Sequence, residues 1–397
     1  MARMLETACK SAGLPLADLK SALGEDVEVR ERGSLQTVLA REIEGTVANR
    51  AAFRIQLTVS QGRVRRARAE FSALRAGRSP APVLSLRADA SCAIAGGRRI
   101  LFDGAGRAQR LIDLGPDLGL TGTGELLNPP VPPGTDPGGV LVAHIDSGVN
   151  YTLPFIARRL ARAPDGSILG HDFWDEDDRP YDVDSSRSPF FPLHHGTLVA
   201  SVLLSEAPDV RLAPYRYPRN DMTRMTAVIR RINEAGARIV AMPLGGRKRS
   251  VWAKFIDAAS AHPHILFVVS AGNDGRNIDE DPVYPASADL PNLLVVTSAT
   301  VSGRLAQGSN WARESVDLMV PAERVEVIDH RGAKGRASGS SYAVPKIAAL
   351  AARLLARNPE WRAPELKQAI MNLAAPSFDR SGPKTRWGWI PDPSDDG

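Results

Sequence analysis

Four residues of this chain stand where acyl chemistry would need them. Ser341 lies in Gly339, Ser340, Ser341, Tyr342, Ala343, Val344, Pro345, just ahead of an apolar run, 347–356, broken only by Arg353. That run reads as a helix buried on most sides, which puts the Ser341 hydroxyl at a helix N-terminus. Unpaired N–H groups and the positive end of the helix dipole favour negative charge there, as an attacking alkoxide or a forming oxyanion requires. Pro345 suits a first helical turn, whose N–H groups have no internal acceptors. Asp146 ends the apolar strand 140–145 and is followed by Ser147 and Gly148, a setting from which a carboxylate orients an imidazole. His195 opens His195, Gly196, Thr197, Leu198, Val199, Ala200, at or just before a helix start. Asn273 follows Ser270, Ala271 and Gly272 after a buried strand and offers an amide donor to the same space. Singly, each has an ordinary reading: a capping serine, a turn aspartate, a structural histidine, a turn asparagine. His194 competes with His195.

Together they stand at strand ends and helix starts of one sheet, in the chain order Asp, His, Ser. The motifs at 145–148, 195–197 and 339–345 resemble those of the subtilisin-like serine proteases, the subtilases. So do Ala271, Gly272, Asn273, the stretch Leu244, Gly245, Gly246, and Tyr284, Pro285, Ala286. The resemblance covers residues 140–391 and implies a serine endopeptidase. Ser341 is then the nucleophile, His195 the base, Asp146 its orienting partner and Asn273 the oxyanion donor. Leu244, Gly245, Gly246 and Ser270, Ala271, Gly272 are the implied substrate-binding segments, and no metal or cofactor is implied. Ser340 stands where the family usually has Thr, which keeps the hydroxyl. Val283 stands where members with an open primary pocket tend to have Gly, so a shallow pocket preferring a small residue is expected.

The elements that must position these residues fall into two parts. Residues 1–127 read as a small α+β domain. Leu5, Ala8, Cys9 and then Leu16, Leu19, Leu23 have helical spacing around a break at Gly13 and Pro15, while Phe53, Ile55, Leu57, Val59 alternate as a strand. A turn at Ser60, Gln61, Gly62 predicts a hairpin into 64–71, and shorter strands are expected at 83–86, 91–95 and 99–102. Residues 128–139, rich in Pro and Gly, read as a linker. From 140 to 391, strands at 140–145, 210–217, 238–244, 265–269 and 293–298 alternate with helices at 222–235 and 251–261. Such alternation predicts an α/β fold, a doubly wound, mostly parallel sheet with chemistry at the carboxyl ends of its strands. Residues 392–397 form a tail.

Composition adds bounds. The start carries Glu6, Lys10 and Asp18 where a secretory signal needs an apolar core, and no stretch is long and uncharged enough to span a bilayer. The two cysteines, Cys9 and Cys92, make no disulfide framework or metal spacing, so a reducing cytoplasm is the expected setting. Residues 1–135 hold 19 Lys+Arg against 14 Asp+Glu, and 13 arginines fall within 50–110. An acidic partner suits that surface; nucleic acid does not, because aromatic interleaving is missing. The acidic stretch Asp172, Asp175, Glu176, Asp177, Asp178, Asp182, Asp184 has three functional readings, binding Ca²⁺, meeting a basic substrate or docking on the arginine-rich N-terminal part, and one plain one, a solvated loop; it lacks calcium-loop spacing, so calcium is unsupported and none is required. Arg247, Lys248, Arg249 carry the opposite sign near the same cleft, so charge alone sets no substrate rule. The expected partner is a peptide or protein substrate, with the N-terminal part a propeptide or a recognition domain. Two alternatives share these residues: acyl transfer to an amine during peptide maturation, and a catalytically silent binding protein on the same fold.

Overall fold

The computed structural model describes residues 1–24, 27–35, 38–47, 51–75, 78–379 and 382–394. Arg50 of the arginine-rich stretch and the last three residues of the expected tail lie outside them. The chain forms two units, one of Met1–Pro129 with Ser185–Pro192, the other of Pro130–Asp184 with Leu193–Gly397.

In the first unit, helices α1 (Ala2–Lys10) and α2 (Leu16–Leu23) accompany an antiparallel meander in which each strand pairs with the next in sequence. Its strands are β1 (Val27–Leu35), β2 (Val38–Val47), β3 (Ala51–Ser60), β4 (Arg63–Arg75), β5 (Arg78–Ala88), β6 (Ile94–Phe102), β7 (Ala108–Leu114) and β8 (Leu120–Leu126). The expected alternation holds in β3, where Phe53, Ile55, Leu57 and Val59 are buried with Leu5, Ala8 and Leu19. The β3–β4 hairpin turns through Gln61 (φ 52) and Gly62 (φ 70), the two left-handed residues a tight primed turn needs.

Two expectations for this unit are corrected. Residues 91–95 are mostly turn, not strand: the Asp89 carboxylate accepts from Ser91 N (2.8 Å), Ser91 Oγ (2.7 Å) and Ala93 N (3.1 Å), an aspartate-built turn that outcompetes the ladder. Cys9 and Cys92 are not separate thiols but a disulfide across 83 residues of sequence. The bridge fastens α1 to the β5–β6 turn, and closing a loop of that length is worth about 2–4 kcal/mol.

The second unit holds a parallel sheet in the order β10, β11, β9, β12, β13, β14, β15. These are β9 (Leu141–Asp146), β10 (His171–Asp172), β11 (Arg211–Arg216), β12 (Ile239–Met242), β13 (Leu266–Ser270), β14 (Leu293–Ala299) and β15 (Leu318–Pro321). Leu141, Ala143 and Ile145 of β9 pack with α5 (Met225–Glu234) and α6 (Arg249–Ser260) in one core. Alternation sends Val142, His144 and Asp146 to the opposite face, where α4 (Gly196–Glu206) and the long α7 (Ser340–Arg357) lie. The short α3 (Pro154–Ala157), the hairpin β16 (Val325–Ile328) and β17 (Lys334–Ala337), and α8 (Ala363–Asn372) complete the unit. Among the described residues no helix is long and apolar enough to cross a membrane.

The Pro/Gly stretch is not a free linker. The division falls at Pro129, and residues from Pro130 onward are tied to the second unit. Arg162 donates from its backbone N to Asp136 Oδ2 (2.7 Å) and from Nη2 to Pro132 O (2.7 Å), and Arg211 Nη1 reaches the same carboxylate oxygen at 3.1 Å. A segment too poor in backbone donors for a helix or central strand is held here by two arginines instead.

Candidate active site

Asp146, the last residue of β9, is 1% exposed, and both of its carboxylate oxygens lie 2.8 Å from His195 Nδ1. His195 is the N-cap residue of α4, as its sequence context predicts. What fixes it there is a second carboxylate. Asp182 accepts from His195 N (3.2 Å) and Ser147 Oγ (2.6 Å) on Oδ1, and from Thr197 N (2.8 Å) on Oδ2. Ser147 Oγ in turn receives Gly196 N at 2.9 Å. The fully buried Asp182 therefore supplies the acceptors that the first turn of α4 lacks, and its negative charge suits a helix N-terminus.

The acidic stretch that contains Asp182 is thus not a solvated loop. Asp172 and Asp175 hold the buried Arg216 at 2.7 and 2.6 Å, Asp184 meets Arg219 at 2.6 Å, Asp178 meets His171 at 2.8 Å, and Glu176 pairs with Arg224. Sequence spacing hid this because the arginines come from the end of β11 and the segment between it and α5, more than thirty residues away.

The charges respond to one another. Burial pushes the Asp146 carboxyl up, but the charge of His195 and the hydrogen bond to it outweigh that and leave it below its usual value. Burial works to lower His195, and the charge and hydrogen bond of Asp146, with Asp182 and Asp184 behind them, raise it above its usual value. His194 does not compete for Asp146: its Nδ1 faces the Asp182 carbonyl and its ring stacks on His330 with centroids 3.5 Å apart. His144, unremarked in the sequence, is fully buried two residues before Asp146. Its Nε2 lies 3.1 Å from Gly196 O, and its Nδ1 has no hydrogen-bond partner.

Ser341 sits half-buried in the first turn of α7, behind the N-cap Gly339 at φ 132. The next residue, Tyr342, brings its ring centroid to 6.4 Å from that of His195, so the N-terminus of α7 and the imidazole share one locale. Pro345 is the sixth helical residue, not a first-turn one, because the helix starts at Ser340. Its missing N–H is the one that would have bonded the Ser341 carbonyl. Asn273 is placed by Ser340, whose backbone N (2.8 Å) and Oγ (3.0 Å) meet Asn273 Oδ1.

The expected substrate segments flank one small space. A methyl added to Gly245 would lie 3.2 Å from Val283 Cγ1, and one added to Gly272 would lie 4.0 Å from the same atom. Val283 Cγ1 therefore lies near both glycines, and Leu244 packs against the buried cluster to which Val283 belongs. Ser270 is buried, its Oγ 2.7 Å from Ser340 Oγ, and Ala271 is buried with its N–H on Val296 O. Gly246 exchanges backbone hydrogen bonds of 2.8 and 2.7 Å with Tyr284, which precedes a cis Pro285.

A parallel sheet with an Asp–His pair at one strand end and a serine-bearing helix N-terminus beside it is the arrangement of a subtilisin-like serine protease. The subtilase family profile matches residues 138–389, and the chain belongs to that family. It is 27% identical over 251 residues to subtilisin E of Bacillus subtilis (strain 168), covering 59% of this chain and 60% of that protein. It is 24% identical over 248 residues to the cell wall-associated protease of the same organism, covering 59% of this chain and 25% of that protein. The chain thus spans less than two thirds of these relatives. Among solved structures, a cold-adapted subtilisin-like serine proteinase superposes with a TM-score of 0.53 at 23% identity, over 64% of this chain and 89% of that one. A lanthipeptide protease superposes with a TM-score of 0.53 at 19% identity, over 65% and 89%. The family match, like these superpositions, concerns the second unit, and the fold expected from the sequence is the fold they share.

Proposed function

We propose that the chain is a serine endopeptidase in which Asp146, His195 and Ser341 act together. The observation that carries this reading is the buried Asp146 carboxylate placed symmetrically on His195 Nδ1. Held this way, the imidazole keeps its proton on Nδ1 and presents a basic Nε2. Ser341 attacks the scissile carbonyl, Nε2 takes its proton and returns it to the leaving amine, and water then repeats the cycle on the acyl-enzyme. The oxyanion is met by Asn273 Nδ2 and the Ser341 N–H at the positive end of α7. Val283, whose Cγ1 approaches both Gly245 and Gly272, limits the primary pocket to a small side chain. The Cys9–Cys92 bridge supports an oxidising compartment rather than the reducing cytoplasm suggested by composition. Thiol titration of the protein taken from its native compartment decides that point: two free thiols would restore the cytoplasmic reading.

Labelling with a fluorophosphonate probe tests the catalytic reading. The full chain should label and the Ser341→Ala variant should not. Equal absence of labelling in both would favour a silent binding protein on this fold.

A further inference from the structure

On the β4–β5 ladder Arg68 stands directly opposite Arg87, and Arg66, two residues along β4, shares their face. Like charges set opposite each other across two strands destabilise a sheet. Some arginines of this unit are paired with carboxylates: Arg54 with Glu44 at 2.7 Å, Arg98 with Asp113 at 2.9 Å, Arg107 with Asp103 at 2.9 Å. Arg66, Arg68 and Arg87 have no carboxylate ion pair among the described residues. Glu70, on the same face of β4, accepts from Ser188 Oγ at 3.3 Å and its charge also acts on Arg68.

The patch is also ordered. Phe191, from the stretch Ser185–Pro192 that belongs to this unit, lies under the Arg68 guanidinium with 4.0 Å from Cζ to the ring centroid. Stacking on the ring leaves the guanidinium edge and its N–H donors available. Arg87 runs over Gly96, where a side chain would press against Leu114 O and the guanidinium. Burial lowers Arg68 below its usual value; the charge of Glu70 opposes that, and the charges of Arg66, Arg87 and Arg98 add to it.

We propose that Arg66, Arg68 and Arg87 form a docking site for an acidic segment of the peptide substrate, outside the part that enters the active site. The substrate role rests on the protease reading; the binding role does not. Guanidinium forks on neighbouring strands suit successive carboxylates along an extended chain. A single-stranded nucleic acid would need open aromatic faces, and the one ring in the patch is already covered by arginine.

The test uses the full chain carrying Ser341→Ala, so that binding is read without cleavage. Fluorescence anisotropy is recorded with a fluorescein-labelled oligoglutamate peptide and with its oligoglutamine counterpart. The glutamate peptide should bind at least about tenfold tighter, and its affinity should fall as salt is raised. Arg66→Glu, Arg68→Glu and Arg87→Glu together should abolish that preference, and the three Arg→Gln changes should reduce it with less risk to folding. In the active chain, the same changes should raise KM for a substrate with an acidic extension and leave hydrolysis of a short neutral peptide unchanged. Equal binding of the two peptides, or a preference that survives charge reversal, overturns the proposal. Tighter, competing binding of a single-stranded oligonucleotide also overturns it and assigns the patch to nucleic acid. A chain that binds oligoglutamate through these arginines but hydrolyses nothing keeps the docking site and removes the protease reading.

Discussion

Ser340 N–H donates to Asn273 Oδ1 at 2.8 Å, and because a backbone N–H can only donate, the atom it meets must be the amide oxygen. The Asn273 Nδ2 group is thereby fixed as the outward donor, which is the role an oxyanion hole needs. Asn273→Leu should lower kcat by about 10²–10³ with little change in KM, a magnitude taken from the corresponding donor in subtilisin itself. Ser340→Ala removes one of the two bonds to the amide and should cost about tenfold. Because Ser340 acts through Asn273, the double variant should be no slower than Asn273→Leu alone. Additive losses in steady-state kinetics would show that Ser340 does something else, and Ser340→Thr should restore the lost rate.

The raised His195 sets the acid side of the activity profile. The imidazole must be neutral to accept the Ser341 proton, so kcat/KM should rise with pH through a midpoint above the ordinary value of 6.5. Asp146→Asn removes the charge that holds His195 up and replaces one of the two acceptor oxygens with an NH2 donor, and leaves the burial that pushes it down. The midpoint should then move to lower pH while the plateau falls by about 10⁴, because the Nδ1 proton is no longer held in place. A variant whose midpoint stays above 6.5 would mean that Asp182 and Asp184, not Asp146, dominate the imidazole's field.

The parallel sheet and the four chemical residues were legible because each lies where a continuous apolar strand or a helix start meets a short polar motif. That signal is local. Asp182 carried no such signal: it reads as one carboxylate in an acidic run, and only folding brings Ser147, His195 and Thr197 to it. The hydrogen bond between the Ser270 and Ser340 hydroxyls was hidden for the same reason, since the two lie 70 residues apart. In the first unit, the alternation of Phe53 to Val59 was plain, whereas β8 is an exposed strand with two glycines and little apolar pattern to read. The Cys9–Cys92 pairing depends on α1 packing beside the β5–β6 turn, which no spacing rule contains.

His144 couples stability to pH. Its Nε2 faces a carbonyl, which only accepts, so Nε2 carries the proton and the buried Nδ1 is bare. Burial lowers this histidine in the folded chain, so the unfolded chain binds the extra proton first. Its contribution to stability is therefore present above the ordinary value of 6.5 and is lost as the pH falls below it. His144→Gln keeps an N–H for Gly196 O and removes the titration. Urea unfolding of the Ser341→Ala chain should show a stability slope steeper by up to about 1.4 kcal/mol per pH unit with His144 than with Gln. Parallel pH dependences would mean that His144 is not the group that charges.

On the proposed reading, Val283, whose Cγ1 approaches both Gly245 and Gly272, sets the size of the primary pocket. Neither glycine has a side chain there, so the isopropyl group is expected to stop a large substrate residue from entering. Val283→Gly should open the space and raise kcat/KM for peptides with an aromatic residue at the cleaved position by about tenfold or more, since each buried methylene is worth roughly 1 kcal/mol. The same variant should lose affinity for small residues, whose contacts with the valine disappear, and the removed side chain should cost about 1–3 kcal/mol of stability. The two effects separate cleanly in a peptide series that varies only this position. Should the native chain already prefer aromatic residues there, or should Val283→Gly leave the preference unchanged, the pocket floor lies elsewhere, and the wall formed by Gly246 and Tyr284 becomes the next place to look.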